Sequence, residues 1–435
     1  MKATTKRRWN IRNPLSYCVV FLLLALPILG QESNENVNVY KGEVVEEGSN
    51  RPLVFASLSV EGTNISTITN TEGEFQLKVP KEHASEDVIV AFLGYQTKQI
   101  SLSQLKNDKN KIELQISVTQ LTEVDIEAPK NAASLVKEVL SKKGENYFDD
   151  PTLMTAFYRE TIKKRRRNVS LSEAVVNIYK SPYDSERRDA VELYKARKST
   201  DYSKLDTVAL KLQGGPFNTL YVDIMKYPEY IFDQESFDYY EFSYDRSTYI
   251  NDRLIYVINF QQYESVLDPL YQGKLYIDAL NRTLTSAIYS LNITNKDKAA
   301  RLFVRKKPAK VDVWPTEVAY RVDYREKDGK WYYGYSNVLL EFKVDWQDRL
   351  FNSVYSMTAE MAVTDWEKNL SGSVPKNRDR LKKSIILTDA AIGFSDPDFW
   401  GEYNIIEPEQ SIESAIKKIQ RQLRRAKRGG TSAAP

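Results

Sequence analysis

Histidine occurs once in these 435 residues, as His83, and cysteine once, as Cys18. A zinc centre of the usual kind draws on several imidazole or thiolate ligands, so neither a zinc hydrolase site nor a thiolate metal site is supplied. A Ser-His-Asp apparatus would have to be built around His83, and Lys81-Glu82-His83-Ala84-Ser85-Glu86 reads as a polar surface loop. No Gly-x-Ser-x-Gly elbow, glycine-rich phosphate loop or dinucleotide fingerprint is present, and Gly214-Gly215-Pro216 reads as a turn. One cysteine makes no internal disulfide, and no cofactor or metal is expected.

The N-terminus has the three parts of a secretory signal. Lys2, Lys6, Arg7, Arg8 and Arg12 precede an apolar run over 19–29, and Gly30 stands before the polar Gln31-Glu32-Ser33-Asn34. The run is short for a bilayer span; an uncleaved anchor is the alternative. Cys18 lies at the start of the run, the wrong end for lipid attachment. Cleavage after Gly30 removes that cysteine and five of the 62 basic residues but no acidic one, leaving 57 against 59, a formal charge of −2. Without a basic excess in the folded part, nucleic acid is not an expected partner.

Short strands follow. Val54, Ala56, Leu58 and Val60 alternate with Phe55, Ser57, Ser59 and Glu61, and Phe75, Leu77 and Val79 with Gln76 and Lys78, the period of half-buried strands. Glu61-Gly62-Thr63-Asn64 and Thr71-Glu72-Gly73-Glu74 supply turn glycines between them, and Val88 to Leu93 is an apolar run that stops at Gly94. This spacing predicts a β-sandwich. In their order, Gly42-Glu-Val-Val, the stretch 51–64, Asn70-Thr-Glu-Gly-Glu-Phe and Phe92-Leu-Gly-Tyr-Gln-Thr resemble the carboxypeptidase regulatory-like domain of exported Bacteroidetes proteins. The resemblance implies a transthyretin-like, non-catalytic sandwich over 37–127 and gives no reaction.

Ala132, Leu135, Val136, Val139 and Leu140 recur at helical spacing, which predicts a helix opening a second domain. From Leu153 to about Val363 the chain reads as antiparallel strands. Phe157–Ile162 and Ala174–Tyr179 pair across the basic turn 163–168, and Leu254, Tyr256, Ile258 and Phe260 share a face. Ala319–Tyr324 and Trp331–Tyr335 flank an Asp328-Gly329 hairpin step, with Val338–Val344 and Ser353–Val363 as two further strands. The 28 tyrosines, 16 phenylalanines and six tryptophans fall on both faces of these strands; sheet packing is the first reading and a binding surface the second.

The early helix and long hairpins resemble the half-barrel folds of periplasmic lipoprotein carriers. Phe157-Tyr158-Arg159-Glu160, Ser172-Glu173-Ala174, Tyr179-Lys180-Ser181-Pro182-Tyr183 and Tyr403-Asn404-Ile405-Ile406-Glu407-Pro408 resemble the uncharacterised region that follows the regulatory-like domain in other exported Bacteroidetes proteins, a region with no assigned chemistry. The same resemblance gives Asp206-Thr207-Val208 a meaning, an acidic-hydroxyl-aliphatic O-glycosylation site at Thr207.

One acidic-aromatic cluster stands out, with Asp396, Asp398 and Glu402 beside Phe399 and Trp400. It has three readings: a sugar site, a calcium loop, or a closing segment that folds over the sheet, and the last is preferred because carboxylates on one loop rarely flank a substrate from both sides. Near the C-terminus Ile412, Ile416, Ile419 and Leu423 share a helical face and Arg421, Arg424, Arg425, Lys427 and Arg428 crowd the last turns. The cations complement the helix dipole or contact an anionic membrane.

The sequence therefore predicts a mainly β protein. A signal peptide spans 1–30, the regulatory-like sandwich 37–127, a large antiparallel and half-barrel β domain 130–408, and an amphipathic helix with a basic tail 409–435. The expected function is exported, non-enzymatic binding or assembly in the cell envelope, periplasmic or outer-membrane-associated, with an envelope protein, glycan or apolar ligand as partner. The alternatives are a small outer-membrane β-barrel or receptor-associated protein and, third, a glycan-active enzyme.

Overall fold

The computed structural model describes residues 36–117, 131–165, 167–200, 213–233, 235–245, 247–250, 253–304, 307–348, 350–393 and 399–409. The expected signal, Thr207, Asp396, Asp398 and the C-terminal helix all lie outside these residues.

The N-terminal strands are β1 (Val37–Glu46), β2 (Ser57–Val60), β3 (Ser66–Ile68), β4 (Glu74–Pro80), β5 (Asp87–Ala91), β6 (Lys98–Ser101) and β7 (Asn110–Leu114). They form two sheets, β4-β1-β7 and β3-β2-β5-β6, around a core that includes Val44, Leu58, Phe75, Leu77, Val90 and Ile112. Gly42 is required where β1 meets β7, because a Cβ there would stand 2.2 Å from the Asn110 carbonyl oxygen. The alternation that predicts a strand from Val54 is broken at Phe55, whose φ is +65°. A non-glycine residue holds that conformation at a cost. Here it turns the Phe55 ring out of the sandwich to pack 5.0 Å from Tyr335 of the second domain.

Helix α1 (Ala132–Ser141), capped by the Asn131 carboxamide, opens that domain, followed by α2 (Lys143–Asn146). Three long strands come next, β8 (Thr152–Lys164), β9 (Arg167–Lys180) and β10 (Ala190–Thr200), and then α3 (Phe217–Leu220). Strands β11 (Tyr240–Tyr244), β12 (Thr248–Ile250), β13 (Arg253–Gln262), β14 (Tyr271–Asp278) and β15 (Thr283–Leu291) follow, then α4 (Lys296–Phe303). The last elements are β16 (Val311–Lys327), β17 (Lys330–Trp346), β18 (Ser353–Lys368), α5 (Leu387–Ala390) and β19 (Ile392–Gly393). Trp331–Tyr335 and Val338–Val344, read from sequence as two strands, belong to the single strand β17. Its Ser336 faces inward and donates to the Thr219 carbonyl oxygen at 2.9 Å, so this polar residue between the apolar runs is satisfied without breaking the ladder.

These strands form one twelve-stranded sheet in the order β11-β13-β14-β15-β16-β17-β18-β8-β9-β10-β19, with β12 attached to β13. Every pair is antiparallel except β10 with β19. The sheet is open, with β11 and β19 at its ends, so the small barrel read as an alternative from the sequence is not its architecture. Both faces of its central strands pack against the chain's own residues, which leaves no continuous apolar band for lipid there.

Alternation along the strands sorts residues to the two faces. Inward go Met154, Ala156 and Tyr158 of β8, Ala174, Val176 and Ile178 of β9, and Tyr256, Ile258 and Phe260 of β13. They pack against α1 and the irregular segment 217–240, whose Leu220, Ile224, Met225 and Phe232 fill the inner side. Nothing in the period of the sequence marks that segment as core. Outward go Phe157, Val175, Tyr335 and Ala362, which meet Ile68 of the sandwich and Trp400, Ile405 and Ile406 of the C-terminal segment.

Candidate functional site

Two buried ionic networks hold the larger sheet to what covers it. On the outer face, Arg159 of β8 lies directly opposite Glu173 of β9 and Glu360 of β18. Its guanidinium donates to Glu173 Oε1 at 2.8 Å and to the Ile406 carbonyl oxygen at 2.7 Å, and Arg197 Nε donates to Glu173 Oε2 at 2.8 Å. Burial works to raise the Glu173 carboxyl, but the two guanidiniums outweigh it and hold it below the ordinary carboxylate range. On the inner side, Lys180 Nζ bridges Asp189 Oδ2 at 2.8 Å and Asp223 Oδ2 at 2.7 Å. Tyr183 and Tyr324 donate to Asp223, and Tyr227 donates to Asp189. Burial works to depress the Lys180 ammonium, and the two aspartates overcome it and raise it. Lysine, aspartate and tyrosine in this arrangement would suit acid-base chemistry in a cleft, but here each charge is paired and walled in by protein.

A third set of polar groups is less well served. Glu160 is the next inward residue of β8 after Tyr158, and Ser172 of β9 stands directly opposite it. Both are buried. Tyr158 donates to Glu160 Oε2 at 3.0 Å, while the Ser172 hydroxyl has no hydrogen-bond partner among the described residues. Burial pushes the Glu160 carboxyl up to about 8, against the hydrogen bond from Tyr158, so it is largely protonated near neutral pH. This pair lies between two apolar clusters of the inner face. On one side lies the main core with Tyr158 and Ala174; on the other lies a separate cluster of Ile162, Val169, Phe342, Tyr355 and Met357. A protonated carboxyl and an unpartnered hydroxyl, set between apolar clusters, together supply a hydrogen-bond donor and acceptors.

The residues named from sequence are distributed differently. Trp400 is buried on the outer face, edge-on to Phe157 at 5.4 Å with the Arg197 guanidinium 4.8 Å from its ring. Phe399 packs on Trp400, and its carbonyl oxygen accepts from Lys195 Nζ. Glu402 is exposed, so it does not join them. His83 sits in a short 3-10 turn (Lys81–His83), 3.6 Å from the exposed Glu82. Among the described residues no three His, Cys, Asp or Glu side chains gather as a metal cluster.

The stretch after Trp400 laces the two domains together. Asn404 accepts from the Lys78 amide at 2.7 Å and donates to the Lys78 carbonyl oxygen at 3.0 Å, treating the edge of β4 as a ladder partner would. Thr67 donates to the Ile405 carbonyl oxygen, and Ser66 to that of Val363. Sequence reasoning missed Glu160, Ser172 and both networks, although three short pieces quoted there, 157–160, 172–174 and 179–183, contain Arg159, Glu160, Ser172, Glu173, Lys180 and Tyr183. The available signal was charge placed in the middle of otherwise apolar strands. A separate shallow depression of about 490 Å³ on the outer face, lined by Glu241, Asn259, Gln261, Gln272 and Lys274, is polar and of mixed charge.

No curated protein matches this chain. Among solved structures, a putative outer membrane lipoprotein-sorting protein domain from Vibrio parahaemolyticus is 8% identical with a TM-score of 0.24, over 57% of this chain and 95% of its own. Lipovitellin, described in a study of lipid-protein interactions, is 8% identical with a TM-score of 0.27, over 58% of this chain and 28% of its own. A DUF1329 family protein from Desulfovibrio piger is 8% identical with a TM-score of 0.24, over 55% and 95%. These likenesses are slight. The family model for the CarboxypepD_reg-like domain matches residues 40–126, a stretch that begins within β1 and includes β2 to β7.

Proposed function

We propose that this chain is exported through a signal over 1–30 and serves in the cell envelope as a non-enzymatic binding or assembly protein. Its regulatory-like sandwich over 37–127 acts as a brace for the β-rich domain over 130–408, whose inner face, closed over Glu160 and Ser172 in this structure, opens to receive an apolar molecule with a polar head. The observation that carries the reading is the seam at Glu160 and Ser172, a buried carboxyl bonded by Tyr158 and a buried hydroxyl without a partner among the described residues, between two apolar clusters. By contrast, the charged constellations that resemble catalytic sets are saturated by their own partners. In this reading Phe399 and Trp400 close the fold, Asp396, Asp398 and Glu402 carry no chemistry, and Thr207 is an O-glycosylation site.

The test is native mass spectrometry of the protein recovered from the envelope of its own cells. Wild-type protein should retain a non-covalent small molecule that is lost or greatly reduced in Glu160→Gln with Ser172→Ala, while the melting temperature is kept. Hydrolysis of glycan or ester substrates by the purified protein, abolished by Asp398→Asn with Glu402→Gln, would make it an enzyme and overturn the reading.

A further inference from the structure

Five strands of the large sheet start or end together at one extremity. The register places the start of β16 beside the end of β17 through Val311 and Trp346, the start of β18 beside the end of β8 through Tyr355 and Lys164, and Lys164 beside Arg167 at the start of β9. The β17–β18 turn lies between them, and the Gln347 amide bonds the Lys310 carbonyl oxygen. At the tip of that turn Leu350 is 95% exposed and Phe351 77% exposed. No other pair of adjacent large apolar residues among the described residues is so open to solvent. Leu302 of α4, which packs on β16, is exposed as well.

The same end is basic. The β8–β9 turn carries Lys163, Lys164, Arg165 and Arg167, and the approach to β16 carries Lys307 and Lys310. Arg165 and Arg167 are exposed, and the Arg165 amide bonds the Val354 carbonyl oxygen, which fixes this turn beside the Leu350-Phe351 turn. The acids present are fewer. Asp312 pairs with Lys307 at 2.5 Å, Glu409 lies 3.6 Å from Lys163, and Asp345 and Asp348 stand on the β17 side. Two apolar side chains at the tip of a projecting turn, ringed by cations, suit a planar anionic surface into which the apolar pair inserts.

We propose that this end of the sheet docks on an anionic lipid surface, with Leu350 and Phe351 entering the headgroup boundary and the flanking lysines and arginines facing lipid phosphates. Charge argues against two other occupants. A second copy would bring a like-charged end. The chain's own stretch 410–435 has seven basic residues (Lys417, Lys418, Arg421, Arg424, Arg425, Lys427, Arg428) and one acidic, Glu413, so its charge is of the same sign and cannot neutralise this end. The inference goes beyond the inner-face reading and does not depend on a ligand at Glu160.

Vesicle co-sedimentation of the chain from Gln31, which lacks the apolar N-terminal run, tests it with phosphatidylglycerol–phosphatidylcholine and pure phosphatidylcholine vesicles. Binding should be confined to the anionic vesicles and weaken with salt as the Debye length falls from about 10 Å at 0.1 M to about 3 Å at 1 M. Leu350→Ser with Phe351→Ser should weaken it roughly tenfold or more at an unchanged melting temperature. Arg165→Glu with Arg167→Glu should weaken it and flatten its salt dependence. Equal binding to neutral vesicles, wild-type binding by both variants, or binding that is lost only on removing residues 410–435 would overturn the proposal. Stoichiometric capture of an envelope protein in place of vesicle binding would overturn it too, and would assign the end to a protein partner.

Discussion

Glu160 is a carboxyl that the fold keeps protonated, and this makes stability depend on pH in a direction opposite to that of a salt-bridged acid. Its ordinary value is 4.5 and its folded value about 8. Between these the folded state holds a proton that the unfolded chain has released, so stability falls as pH rises through this window and levels off above it. The contribution is on the order of a few kcal/mol for a shift of this size at a buried site. Glu160→Gln keeps the shape, removes the titration and is expected to flatten the curve. Chemical denaturation of both proteins from pH 5 to 9 should therefore show the variant gaining on wild type as pH rises; parallel curves would mean that Glu160 is ionised or solvated in the folded protein. Glu173 behaves oppositely because Arg159 and Arg197 outweigh its burial. Sequence gives no means of telling these two glutamates apart, since both lie within apolar strands and only register decides which of them meets an arginine.

At the scale of elements, legibility followed periodicity. The helix at 132–140, the Asp328-Gly329 hairpin, the pairing of β8 with β9 and the inward face of β13 could be read because local spacing and turn residues carry them. Asp328 and Gly329 both take the positive φ that such a two-residue turn requires. What could not be read was segment 217–240, which has no period, and the path of residues 399–409 along the outer face. Sandwich strand β3 rests on β18, and Trp400, Ile405 and Ile406 fill the space beside that contact. Trp400→Ala is therefore expected to cost about 3–5 kcal/mol. Differential scanning calorimetry should show the sandwich melting apart from the larger sheet in this variant, whereas wild type melts in one transition. A variant that still melts in a single transition at the wild-type temperature would show that Trp400 does not couple the two.

On the scale of the whole molecule, the sandwich has a complete core of its own, yet its Ile68, Phe55 and Thr67 are committed to the second domain. That surface is therefore spoken for within the chain, and a partner must use another. Among the described residues no helix is long and apolar enough to cross a membrane. The twelve-stranded sheet is open, and its central strands are packed on both faces. The location proposed above is the cell envelope, on a membrane surface or in the space beside it. Fractionation of native cells, with carbonate and detergent extraction of the envelope and N-terminal sequencing of the recovered protein, tests this most directly. The account predicts a chain beginning at or near Gln31, found with the envelope and released by carbonate. Recovery from the cytosol with Met1 intact, or from membranes by detergent alone, would contradict it.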